Sequence, residues 1–93
     1  MANPLIPKQI YTGILPQRQW LPVLSSNLQA VMFVPHDPRV QSPNMLFIRF
    51  VNGSIYCYYN VPRQVWLDLM KAPSKGIYHW RRIRNRFSFS KVA

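Results

Sequence analysis

The chain has 93 residues, enough for one domain with a modest core. Twelve Lys and Arg stand against two acids, a formal net charge of +10, while 48% of the residues are hydrophobic. That balance excludes a disordered basic tail and points to a polyanionic neighbour: RNA, DNA or an acidic protein surface. A lone cysteine, Cys57, excludes an intramolecular disulfide and a cysteine-based metal site.

In chain order, residues 1–23 combine Pro4, Pro7, Pro16 and Pro22 with large apolar side chains. Prolines at that density stop helix growth and cannot join central strands, so an extended Pro-rich arm is expected. It is too apolar for a free linker. Ile10, Tyr11, Ile14, Leu15 and Trp20 are its candidate partner-docking residues. The opening residues lack the charged and long apolar segments of a signal peptide, and no apolar run approaches the roughly 18 residues that span a bilayer. The expected location is therefore the cytoplasm, or a virion or other particle assembled there.

Residues 24–93 read as one α+β module. "LQAVMFV" (Leu28 to Val34) predicts a first strand, closed by Pro35, and "HDPRVQSPN" predicts a loop. "MLFIRFV" and "SIYCYYNV" predict two further strands joined by Asn52-Gly53, the dipeptide of a two-residue type I′ hairpin turn. "PRQVWLDLMKA" predicts a helix with Pro62 in its first turn, Val65, Trp66, Leu69 and Met70 on one face, and Pro73 as its stop. Ser74 is placed to cap a second short helix beginning near Gly76, with Ile77, Trp80, Ile83 and Phe87 on one side. The expected fold is thus a small antiparallel three-stranded sheet followed by one or two short helices.

A two-residue turn at Asn52-Gly53 would set Arg49 opposite Tyr56 and Phe47 opposite Tyr58. Leu46, Ile48, Phe50, Ile55, Cys57 and Tyr59 would then form the core face, and Phe47, Arg49, Tyr56 and Tyr58 the other. That second face has three readings. The arm or a partner covers it, single-stranded nucleic acid stacks on it, or it meets solvent. The C-terminal segment adds Lys75, Arg81, Arg82, Arg84 and Arg86 with no acid nearby, a pattern suited to phosphate or an acidic partner. His36 and His79 form no recognisable catalytic or metal-binding pair, so neither enzyme activity, a cofactor nor a metal is expected.

The stretches "LSSNLQAV", "VNGSIYCYYNVP" and "APSKGIY", followed by "RRIRNRF", resemble the KTSC domain over roughly Leu24 to Phe87. That module occurs at the C-terminus of some lysyl-tRNA synthetases and as small free-standing bacterial and phage proteins. Its Tyr-x-Tyr signature matches Tyr56-Cys57-Tyr58, and its Ser-x-Gly matches Ser74-Lys75-Gly76. The resemblance implies a small antiparallel sheet with helices, and its synthetase context implies RNA binding. The arm and the long "HDPRVQSPN" loop depart from the family pattern. Three functional expectations follow, the last of them capture of a small nucleotide signal in a pocket between rings and arginines. The first is a non-catalytic subunit of a nucleoprotein assembly, such as a phage particle, docked through its arm with the basic face toward nucleic acid or an acidic protein. The alternative is a free-standing RNA or single-stranded DNA binding module.

Overall fold

A computed structural model of the protein describes residues 19–93. Five antiparallel strands form one sheet in chain order: β1 (Leu21–Pro22), β2 (Leu28–Val34), β3 (Met45–Phe50), β4 (Ile55–Tyr59) and β5 (Phe89–Lys91). Helices α1 (Arg63–Lys71) and α2 (Lys75–Arg82) intervene between β4 and β5. The sheet therefore has five strands where the sequence predicts three. The two additional strands are the edges, and both are too short to carry an alternating pattern of their own. Pro22 suits an edge, where a missing N–H leaves no ladder bond unmade. These two residues fall in the stretch read as the arm. Residues Ile10, Tyr11, Ile14 and Leu15 lie outside the described residues.

The hairpin turn differs from expectation in a way that rearranges both faces. Phe50 N donates to Ser54 O at 2.8 Å and Gly53 N to Phe50 O at 2.9 Å, so the loop holds three residues, Val51 to Gly53. Gly53 alone within it has positive φ, at 93°. This is a type I turn closed by a glycine in the left-handed region, whereas a type I′ turn would demand positive φ at Asn52 as well. Asn52 instead accepts from Ser54 N through Oδ1 at 2.9 Å. The longer loop shifts the register by one, pairing Arg49 with Ile55, Ile48 with Tyr56 and Leu46 with Tyr58. A one-residue slip moves every side chain of one strand to the opposite face.

Leu46, Ile48, Phe50, Tyr56 and Tyr58 consequently share the helix-covered side, with Val31 and Phe33 from β2. On α1, Leu69 is buried there and Trp66 stacks on Phe33 with ring centroids 5.1 Å apart, as the apolar spacing of that helix predicts. Met32, Val34, Met45, Phe47, Ile55, Cys57 and Tyr59 form a second buried cluster on the other side, with Trp20 and Val92 packed against it. Phe47 is completely buried. The sheet thus has a buried apolar cluster on each face.

The helices begin and end where local chemistry dictates. Asn60 adopts a φ of 57°, tolerable for its short polar side chain, and turns the chain out of β4 toward Pro62, which precedes α1. Pro73 bars continuation of α1, and Lys75 Nζ donates to the terminal Ala72 carbonyl at 3.0 Å. Ser74 Oγ accepts from Ile77 N at 3.3 Å, the expected N-cap. The inward stripe of α2 is the expected one only in part, since Ile83 and Phe87 pack on the core but Ile77 and Trp80 do not. His79 and Ile83 are buried, whereas Ile77 and Trp80 are more than half exposed. Helical spacing allows either stripe, and the inner one is chosen by contacts with the sheet.

Candidate functional site

Beneath α2, at the end of the β3–β4 hairpin, lies a cavity of about 320 Å³. Phe50, Tyr56, Tyr58, His79 and Phe89 supply rings to its lining, Asn27, Asn52 and Ser54 supply polar groups, and Arg84 brings a guanidinium. Its volume falls at the lower end of the roughly 300–1,000 Å³ typical of small-molecule sites. Each wall has a local cause. Tyr56 and Tyr58 alternate along β4 and so point to the same side, their rings 6.5 Å apart and nearly parallel. Phe89 is opposite Tyr58 on β5, bringing its ring within 5.9 Å. Phe50, at the hairpin end of β3, meets both Tyr56 and His79 edge-on.

A buried pair forms part of this lining. Tyr58 Oη and His79 Nε2 share a hydrogen bond of 2.8 Å. Burial pushes the Tyr58 phenol up to about 12, with the neighbouring Tyr56 adding to the effect. Burial likewise holds the His79 imidazole down at about 4, and the nearby Arg84 charge lowers it further. At neutral pH both groups are uncharged, so the pair presents hydrogen-bonding capacity without fixed charge. Arg84, in the turn after α2, lies over the Trp80 ring with its Cζ 4.0 Å from the centroid. Trp80 itself is 62% exposed.

The site residues expected from sequence fall into separate places. Tyr56 and Tyr58 line the cavity together, and Arg84 joins them. Phe47 and Arg49 do not, because the three-residue turn places them on the opposite face. There Arg49 lies over the Trp20 ring at 4.5 Å, and Trp20 packs on its own domain. Arg81, Arg82 and Arg86 are exposed on α2 and the turn beyond it, while Lys75 is half-buried against the end of α1. Sequence reasoning missed Phe50, His79 and Phe89. Only His79 had a signal: it stands three residues after Gly76 and four before Ile83, on one helical stripe.

Among the described residues no cluster of His, Cys, Asp or Glu is placed to hold a metal ion, and no helix is long and apolar enough to cross a membrane. The cavity lining combines aromatic rings, neutral hydrogen-bonding groups and one guanidinium.

Comparison with known proteins places this architecture. The chain matches the KTSC domain model over residues 25–87. A crystal structure of a KTSC domain protein from Yersinia pestis superposes with a TM-score of 0.63 at 32% identity, covering 81% of this chain and 97% of that one. A protein from Tsukamurella paurometabola is 38% identical over 66 residues, 71% of this chain and 90% of its own length. A lysine–tRNA ligase from a Nostoc species is 32% identical over 72 residues, 77% of this chain, and one from Nostoc punctiforme is 40% identical over 53 residues, 57% of this chain. The chain spans 12% and 9% of the length of those two ligases. Sheet, helices, the Tyr-x-Tyr pair and the sequence matches agree: this chain belongs to the KTSC domain family.

Proposed function

We propose that the protein is a non-catalytic module that binds single-stranded RNA, seating one base in the aromatic cavity and holding the adjoining phosphates with arginines of α2 and the turn after it. The observation that carries this reading is the juxtaposition of Tyr56, Tyr58 and Phe89 with Arg84 in a single cavity. Stacking on aromatic rings contributes roughly 1–3 kcal/mol per base and tolerates any base. Asn27, Asn52 and Ser54 offer groups for the polar edge of that base. The exposed Trp80 ring, backed by Arg84, extends the stacking surface beyond the cavity.

RNA is favoured over DNA by the relatives, two of which are named as ligases acting on a tRNA. Docking into a larger assembly receives no comparable support, since Trp20 packs on its own domain and the other arm residues lie outside the described ones.

Fluorescence anisotropy with a labelled ten-nucleotide RNA and its DNA counterpart, across a salt series, tests the proposal. Tyr56→Ala and Phe89→Ala should each weaken RNA binding at least fivefold without changing the salt slope. Arg81→Gln with Arg84→Gln should flatten the slope of log affinity against log salt by about 0.7 per lost phosphate contact. Absence of RNA binding at low salt, or pocket variants that bind like the parent, would end this reading.

A further inference from the structure

We propose that a second cleft, between α1 and α2, binds a phosphomonoester carried on a sugar. The cleft measures about 520 Å³ and is lined by Val65, Asp68, Tyr78, Arg82, Arg86 and Phe87. Arg84, two residues from either arginine in sequence, belongs to the other cavity, so the two sites divide the basic segment between them. The proposal does not depend on RNA binding at the first site.

Charges of both signs line the cleft, Asp68 on α1 and Arg82 and Arg86 on the other side. Among the described residues the only ion pair joins Asp37 and Arg39, far along the chain. Asp68 accepts from Gln64 Nε2 at 2.8 Å through one oxygen, Oδ1, which leaves Oδ2 as an acceptor. Arg82 and Arg86 bring two guanidinium groups with donors arranged for phosphate oxygens. Burial raises the Tyr78 phenol above its ordinary value, Asp68 reinforces the shift and Arg82 opposes it, which places all three groups within electrostatic reach. Tyr78 is therefore a neutral donor.

A bare anion fits this arrangement poorly, since the Asp68 carboxylate repels it. A ligand that offers a dianion to the arginines and hydroxyl donors to Asp68 satisfies both charges at once. The apolar walls, Val65 and Phe87, suit the C–H faces of a sugar ring. A phosphorylated sugar has these features together, whether free or as part of a nucleotide.

Calorimetry on the full chain with ribose 5-phosphate tests this, because that probe lacks a base and cannot exploit the aromatic cavity. Ribose 5-phosphate should bind at least tenfold more tightly than ribose. Arg82→Gln with Arg86→Gln should weaken it at least tenfold, and the charge-preserving Arg82→Lys with Arg86→Lys several-fold through loss of paired donors. Asp68→Asn should weaken ribose 5-phosphate while strengthening inorganic phosphate, a reversal that general charge screening would not produce. Tyr56→Ala, in the first cavity, should leave ribose 5-phosphate binding within twofold. With the first cavity disabled by Tyr56→Ala and Phe89→Ala, adenosine monophosphate binding tenfold tighter than ribose 5-phosphate would assign the site to nucleotides, and equal binding to free sugar phosphates. Equal affinity for ribose and ribose 5-phosphate, or a folded double-glutamine variant that binds like the parent, would overturn the proposal.

Discussion

Tyr58 and His79 are 21 positions apart in sequence, and their 2.8 Å hydrogen bond ties α2 to β4 of the sheet. Their shifted ionisations make that tie dependent on pH at both extremes. His79 titrates at about 4 when folded and near 6.5 when unfolded, so between those values the unfolded chain binds more protons. Stability from this residue is complete above pH 6.5 and is lost as pH falls toward 4, by up to about 3 kcal/mol. Tyr58 works in the opposite sense. Its folded phenol keeps its proton to about 12 against an ordinary 10, so stability falls as pH rises between those values. Chemical denaturation from pH 4 to 9 should show the acid loss, and His79→Gln should flatten that limb while lowering stability at pH 8. An unchanged acid limb in the variant would remove His79 as its cause.

At the scale of single elements, the β3–β4 turn decides which rings meet. Gly53 sits at a φ of 93°, and a Cβ there would touch nothing within 4 Å. Gly53→Ala therefore isolates the backbone cost of the left-handed region, about 1 kcal/mol, with no steric contribution. Urea titration should show that loss with an unchanged m-value. A larger penalty or an altered m-value would mean that the strand register had moved with the turn. The same turn explains why the cavity was only half legible in the sequence. The alternation of Tyr56 and Tyr58 is local and readable, whereas their pairing with Ile48 and Leu46 depends on whether the loop has two residues or three. Val51 N donates to Asn27 O at 2.9 Å, a contact from 24 positions away that accompanies the longer loop.

For the molecule as a whole, a sheet buried on both faces gives this short chain two apolar clusters rather than one. Phe47→Ala should therefore cost about 3–5 kcal/mol, the range for deleting a buried aromatic ring, while a solvent-facing Phe47 would have cost under about 0.5 kcal/mol. Leu69→Ala, in the other cluster, should cost about 2–5 kcal/mol. Because strands β2 to β4 contribute to both clusters, each variant should melt in one transition. Separate transitions reported by Trp fluorescence and by far-UV circular dichroism would contradict that shared cooperativity.

The sequence by itself determined the element types between Leu28 and Arg82, the proline and serine punctuation of the helices, the basic C-terminal segment and the family signature. Those features rest on local chemistry: φ restriction by proline, side-chain capping, and the alternation of apolar residues. Only the tertiary structure decided the rest. β1 and β5 are strands because neighbours supply their hydrogen bonds, not because two or three residues carry a strand pattern. The inner stripe of α2 runs through His79 instead of Trp80 because Tyr58 and Phe50 meet the imidazole there. Phe47 and Tyr58, assigned by sequence to one face, were separated by one extra loop residue. Register is a long-range property, and a period of two makes the smallest error in it complete.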